Sequence, residues 1–223
     1  MKTIDRKPGS KIKVTPAPWK LSGTGYILIL KRPSETTKNE VQIDNRGLSF
    51  LSMPILMYVN YTASDVGPYH ELLYIPGRVE TSDGSFWNIS KIVVSSEESV
   101  ISGRANWGIP KSLASFQVSI HDGMQRIIVK EKEKVVMRLN LTPGSFHFPV
   151  NTSWLPSSLF TLQQSLNHLT YRFAPSARGN LSPASIQCLV VEPGDWPALT
   201  EKDVFATLQV QDFSMVFPES QQF

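Results

Sequence analysis

The hydrophobic positions fall mostly in short runs with a period near two. Tyr26–Lys31, Met53–Thr62, Tyr69–Pro76 and Ile89–Ser95 are β-branched or aromatic runs bounded by turn residues, which predicts strands. Phe116–His121 and Gln125–Lys130 alternate apolar and polar residues around Asp122-Gly123. That dipeptide predicts a two-residue hairpin, because a type I′ turn needs positive φ at both central positions. Lys134–Leu141 continues the meander after the charged turn Lys130–Lys134, a solvated loop or edge. Further strands are predicted at Thr170–Ala174, Ser185–Glu192 and Phe205–Phe217. Helical signals are few. Ser96–Gly103 has an N-cap serine, acidic residues at 97 and 98, and a glycine suited to its end. Pro110–Ala114 predicts a short turn of helix, and Ser157–His168 carries a weak helical pattern. The chain reads as one mainly-β domain, 19–223, a barrel or curled sheets with short helices attached, preceded by a mobile segment over 1–18.

Composition narrows the class. The chain has 223 residues, 41% hydrophobic and 18% charged, too apolar for disorder and long enough to bury a large core. The formal net charge is +3, and the basic residues do not cluster. That argues against a nucleic-acid partner. The single cysteine, Cys188, cannot staple the chain and reads as a small buried hydrophobe. The first twenty residues lack the apolar core of a secretory signal, and no apolar run is long enough to cross a bilayer. The expectation is a cytoplasmic protein without a membrane partner, its five N-x-S/T sequons being chance occurrences.

Common catalytic motifs are absent. There is no phosphate loop, no dinucleotide fingerprint and no nucleophile elbow. The four histidines, His70, His121, His147 and His168, lack metal-ligand spacing. What remains is Lys111, in the apolar stretch Trp107-Gly-Ile-Pro-Lys-Ser-Leu-Ala114. Two readings stand. Lys111 snorkels from a loop, its stem over Trp107 and its ammonium in water. Alternatively it is a buried amine that attacks a ketone, forming an iminium that serves as an electron sink.

Three segments in order carry a resemblance: Gly67-Pro-Tyr-His-Glu71, the helix ending in Gly103-Arg104, and Trp107-Gly-Ile-Pro-Lys-Ser-Leu-Ala114. Together they resemble the acetoacetate decarboxylase superfamily, more weakly over about 19–217. The resemblance implies a mainly-β fold with a curled, barrel-like sheet and an apolar pocket. It implies an iminium-forming lysine at Lys111 and an active-site glutamate at Glu71. It also implies a homo-oligomer that needs no metal or organic cofactor. Three departures qualify it. Ser112 stands where the decarboxylases carry a second lysine, Thr24 where they place an arginine for the substrate carboxylate, and Leu56 near a second glutamate.

A carboxylate would lose its fixed cation in such a pocket. The expected substrate is therefore a larger, neutral carbonyl compound. The expected enzyme is a Schiff-base lyase, closer to an aldolase–dehydratase or a cyclising enzyme of secondary metabolism than to acetoacetate decarboxylase itself. In that scheme Lys111 forms the iminium, and replacing it with Ala abolishes turnover with little loss of stability. Glu71 moves protons and Tyr69, two residues away on one strand face, orients the carbonyl. Trp107 walls the pocket. Arg104 fixes the loop or stands in for the missing arginine, and Thr24, Leu56 and Ser112 complete the substrate-binding set. The alternative is a non-covalent binder or cyclase using the same cavity; a purely structural subunit would not require the Lys–Glu pair.

Overall fold

The structure, a computed structural model, describes residues 12–32 and 52–223. Its strands are β1 (Trp19–Leu30), β2 (Ile55–Ala63), β3 (Tyr69–Ile75), β4 (Arg78–Thr81), β5 (Gly84–Trp87) and β6 (Lys91–Val94). The helix α1 (Glu97–Trp107) follows, then β7 (Lys111–Leu113), β8 (Ser115–His121), β9 (Met124–Glu131), β10 (Lys134–Pro143) and β11 (Phe148–Asn151). The chain ends in β12 (Leu162–Leu166), β13 (Leu169–Phe173), β14 (Ser176–Val191), β15 (Leu199–Thr200), β16 (Val204–Phe217) and β17 (Gln221–Gln222). Among the described residues, twelve strands form one sheet in the order β7-β6-β3-β2-β1-β16-β14-β10-β9-β8, with β11 and β15 on β14. Five more, β17-β13-β12-β5-β4, form a smaller sheet. The fold is mainly β, and the large sheet curls into a nearly closed barrel, as the hydrophobic alternation predicts. No helix among the described residues is long and apolar enough to cross a membrane.

Alternation along the central strands gives the large sheet two buried faces. Leu28, Leu56, Leu72 and Val93 point into the curl, where they meet Ile127, Met137, Leu139 and Leu189 from the far half of the sheet. Residues one step out of phase, including Leu21, Val59, Leu73, Ile92 and Val94, point the other way. They pack with Trp107 and Ile109, which flank the end of α1, and with Phe173 of the smaller sheet. The inside of the curl is thus filled with side chains, and the second face is the one that carries the site.

Several expectations are corrected. The helix does not stop at Gly103 but runs to Trp107, capped by Gly108 at φ 61. Gly103 lies on a buried turn of α1, where it serves packing rather than termination. Pro110–Ala114 is not helical, because β7 pairs in parallel with β6 and becomes the last strand of the sheet. Ser157–His168 keeps only a single 3-10 turn at Ser157–Leu159, and the rest is β12 with its turn. Asn167 and His168 both take positive φ, at 53 and 66, and close a hairpin. Asp122 and Gly123 do so at 49 and 77, as predicted. The hairpin β4–β5 lies in a stretch not assigned to strands. Cys188 is half-buried rather than buried. The first eleven residues of the segment expected to be mobile lie outside the described residues. From Thr15 onward it is pinned on α1: Thr15 N donates to Ser102 Oγ, and Asn106 Nδ2 donates to the Thr15 carbonyl.

Candidate active site

Strand parity builds the site. On β3, Tyr69, Glu71, Leu73 and Ile75 share one face, with His70, Leu72 and Tyr74 on the other. His70 accordingly meets Tyr58 and Phe116 on the curl side, where burial holds it neutral by lowering its pKa. Lys111 is registered against Ile92 of β6, whose side chain faces away from the curl. Lys111 and Glu71 therefore enter the same space. That space is a cavity of about 480 Å³ between the large sheet, α1 and the smaller sheet. Trp19, Met57, Trp87, Phe160, Phe213 and Phe217 are among its walls. Among the described residues lining it, Lys111 is the one cation and Glu71 the one anion.

Lys111 does not snorkel. It is 5% exposed and Glu71 3%. Lys111 Nζ donates to Glu71 Oε2 at 2.8 Å and to Ser99 Oγ at 3.0 Å. Tyr61 Oη donates to Glu71 Oε1 at 3.1 Å, and Nζ lies 5.3 Å from the centre of the Tyr69 ring. Burial pulls the Lys111 pKa down, but the Glu71 carboxylate and the Tyr69 phenol more than offset it. The ammonium is held above its ordinary 10.5. Burial also pushes the Tyr69 phenol up to about 12, against the opposing pull of Lys111, and pushes Tyr61 well above 10.0 with Glu71 adding to it.

The other sequence-derived residues divide by parity. Tyr69 and Trp107 line the cavity. Trp107 is fully buried, edge-on to Trp19 at 5.0 Å, with Nε1 donating to the Pro218 carbonyl. Thr24 and Leu56 sit one residue out of phase with the cavity face of β1 and β2 and are not part of its lining. Ser112 points away for the same reason, and its hydroxyl donates to Glu131 at 3.2 Å. A lysine at 112 would share that direction, so its absence is not what leaves the Lys111 ammonium charged. Arg104 is exposed on α1 and outside the cavity; its carbonyl accepts the Gly108 N–H that caps the helix. It therefore offers no cation to a carboxylate in the cavity.

Three residues of the site escape the sequence reading. Tyr61 and Ser99 touch the charged pair directly. Gly103 makes room for it: a Cβ there would lie 2.9 Å from Lys111 Cδ and 3.0 Å from Cε. One signal was available. Ser99 and Gly103 are four apart, so they share the face of α1 that overlies Lys111.

A family model for acetoacetate decarboxylase (ADC) matches residues 43–194, more than half of the chain. The chain belongs to the acetoacetate decarboxylase family. That places it in a superfamily of enzymes, although no curated protein sequence matches it. Among solved structures, acetoacetate decarboxylase from Legionella pneumophila shares its fold with a TM-score of 0.66 at 13% identity. That alignment covers 97% of this chain and 92% of the other. The enduracididine biosynthesis enzyme MppR, complexed with the condensation product of pyruvate and imidazole 4-carboxaldehyde, aligns with a TM-score of 0.59 at 12% identity. It covers 94% of this chain and 90% of its own. An acetoacetate decarboxylase-like enzyme from Sphingomonas wittichii RW1 gives 0.57 at 13% identity, covering 92% of each. At these identities the likeness is one of fold.

Proposed function

We propose that this acetoacetate decarboxylase-family protein is a Schiff-base lyase that acts on a neutral carbonyl compound larger than acetoacetate. The observation that supports it is the buried Lys111–Glu71 pair, 2.8 Å apart in an otherwise apolar cavity. In the resting site the pair is an ammonium and a carboxylate. As a ketone arrives, Lys111 Nζ passes a proton to Glu71 Oε2, and the neutral amine attacks the carbonyl carbon. Glu71 returns the proton to the carbonyl oxygen, accepts one from nitrogen, and protonates the hydroxyl so that it leaves as water. The sum is ammonium plus ketone giving iminium plus water, with no net proton exchanged. The iminium then accepts the electron pair of a breaking bond one carbon away, becoming an enamine that is later protonated on carbon and hydrolysed.

This balance explains why a strongly lowered Lys111 pKa is not required. A cation faces Glu71 both before and after condensation, so the buried site never carries an unpaired charge. Substrate size follows from the walls. The cavity volume is that of a site for a drug-sized ligand, and the described residues lining it offer no second cation to a carboxylate. The Lys111–Glu71 pair and Tyr69 sit where the reacting carbonyl would be held, and Trp107 walls the space. MppR, of the same fold, holds a carbonyl condensation product, which agrees with aldol or dehydration chemistry.

The stably charged Lys111 favours one rival, a cavity that binds or shapes its ligand without covalent chemistry. Borohydride reduction separates the two. Protein incubated with small and bulky ketones, reduced and weighed intact, is expected to gain the mass of the ketone less one oxygen. Lys111→Met should gain nothing. An equal gain in that variant, or no gain with any ketone while the ketones still bind, would sink the covalent mechanism.

A further inference from the structure

An ammonium has three donors, and those of Lys111 are not free. Glu71 Oε2 and Ser99 Oγ take two, and Tyr69, its ring centre 5.3 Å from Nζ, is the third neighbour of the amine. Glu71 is fixed in turn. Its second oxygen holds Tyr61 Oη, and the Tyr61 ring is clamped by Tyr69 at 4.6 Å and edge-on by Phe213 at 5.8 Å. Tyr61, Glu71, Ser99 and Lys111 are all buried, so bulk water does not substitute for any member. In this arrangement a lone pair on Nζ exists only after Oε2 has taken its proton, and it then points at the carboxylic acid rather than into the cavity.

We infer that Glu71, aimed by Tyr61, locks Lys111 in a non-nucleophilic ion pair, so that the amine becomes reactive only when a carbonyl compound draws the pair apart. The inference rests on the Schiff-base reading for its purpose but not for its test. Glu71 thereby has a role before it moves any proton on substrate, and Tyr61 is a positioning residue.

The test reads the amine directly, by NMR of protein carrying ¹³C,¹⁵N-labelled lysine. In wild type, the Lys111 Cε and Nζ signals are expected to stay those of an ammonium from pH 7 to beyond 10.5, with slow proton exchange. In Glu71→Gln, Tyr69 alone of the two still opposes burial, and the midpoint should fall by at least about two pH units. In Tyr61→Phe the amine stays charged, but its protons should exchange at least about tenfold faster as the freed carboxylate swings. A Lys111 that remains charged to pH 10.5 in Glu71→Gln overturns the lock. Unchanged exchange in Tyr61→Phe removes Tyr61 from it. Should Glu71→Gln fail to fold, the wild-type titration decides the matter: a Lys111 that loses its charge well below pH 10.5 overturns the lock. Ketone trapping in wild type with no midpoint shift in Glu71→Gln would spare the Schiff base and sink the lock. A shifted midpoint in a protein that traps no ketone would do the reverse.

Discussion

At the scale of single residues, the site is governed by which way a side chain points, and position 112 tests that rule. Ser112→Lys restores the doubled lysine of the decarboxylases in sequence but not in space. The new ammonium would emerge beside Glu131, which already holds Lys91 at 3.1 Å and Trp196 Nε1 at 3.3 Å. Ketone trapping at Lys111 is therefore expected to stay within about twofold of wild type, since neighbours on a strand face opposite sides. A tenfold gain in the borohydride assay would show that the two ammonium groups sense each other through the strand. The same geometry revises the expected cost of removing Lys111. With Ala at 111 the Glu71 carboxylate is left buried and unpaired, a loss of about 3–5 kcal/mol rather than a silent change. Lys111 and Glu71 were legible in the sequence because each sits in a recognisable motif. Tyr61 was not, because a tyrosine among strand aromatics looks the same whether it fills space or holds a carboxylate. Thr24, Leu56 and Ser112 were misplaced because aligning two sequences gives position along a strand but not its phase.

Among the elements, α1 and β7 act as one device. The helix lays Ser99 and Gly103 over the lysine that the next strand delivers, and β6 holds that strand in register. Gly103→Ala isolates this role. Helix propensity alone would make the change stabilising by about 0.8–1 kcal/mol. Here the added methyl meets the lysine stem at 2.9 Å, so we expect ketone trapping to fall at least about tenfold through misplacement of Nζ. Thermal melts beside the trapping assay check it: a more stable protein that still traps normally would mean the stem adjusts freely. The strands of the meander were readable from alternation and turn chemistry. The helix end and β7 were not, for a physical reason. Gly103 looks like a terminator because glycine usually ends helices, and the conformation of Lys111–Leu113 is set by pairing with a strand seventeen or more residues earlier rather than by local preference.

For the whole molecule, the buried phenols and the buried amine set the response to alkali. Tyr26 is raised to about 12 by burial, Tyr58 and Tyr61 are raised further, and Tyr69 to about 12. Lys111 is raised above 10.5. Each group holds its proton more tightly folded than unfolded. The stability this contributes is complete below about pH 10 and is lost as pH climbs through the folded values, by up to about 1.4 kcal/mol per pH unit per group. Denaturant midpoints should be level from pH 8 to 9.5 and fall steeply above 10, less steeply in Tyr61→Phe. A level midpoint to pH 11.5 would contradict the burial of these groups.

The division of β1, β2 and β3 into two registers has a consequence for altering the enzyme. Alternate residues answer to different masters: Leu28, Leu56 and Leu72 to the closed interior of the curl, Ile27, Met57 and Leu73 to whatever fills the cavity. A library drawn only from the second set redraws the shape of the chamber while the interior that maintains the fold is left untouched. Natural variation is free to take the same route, so one scaffold can present the same amine to many different guests.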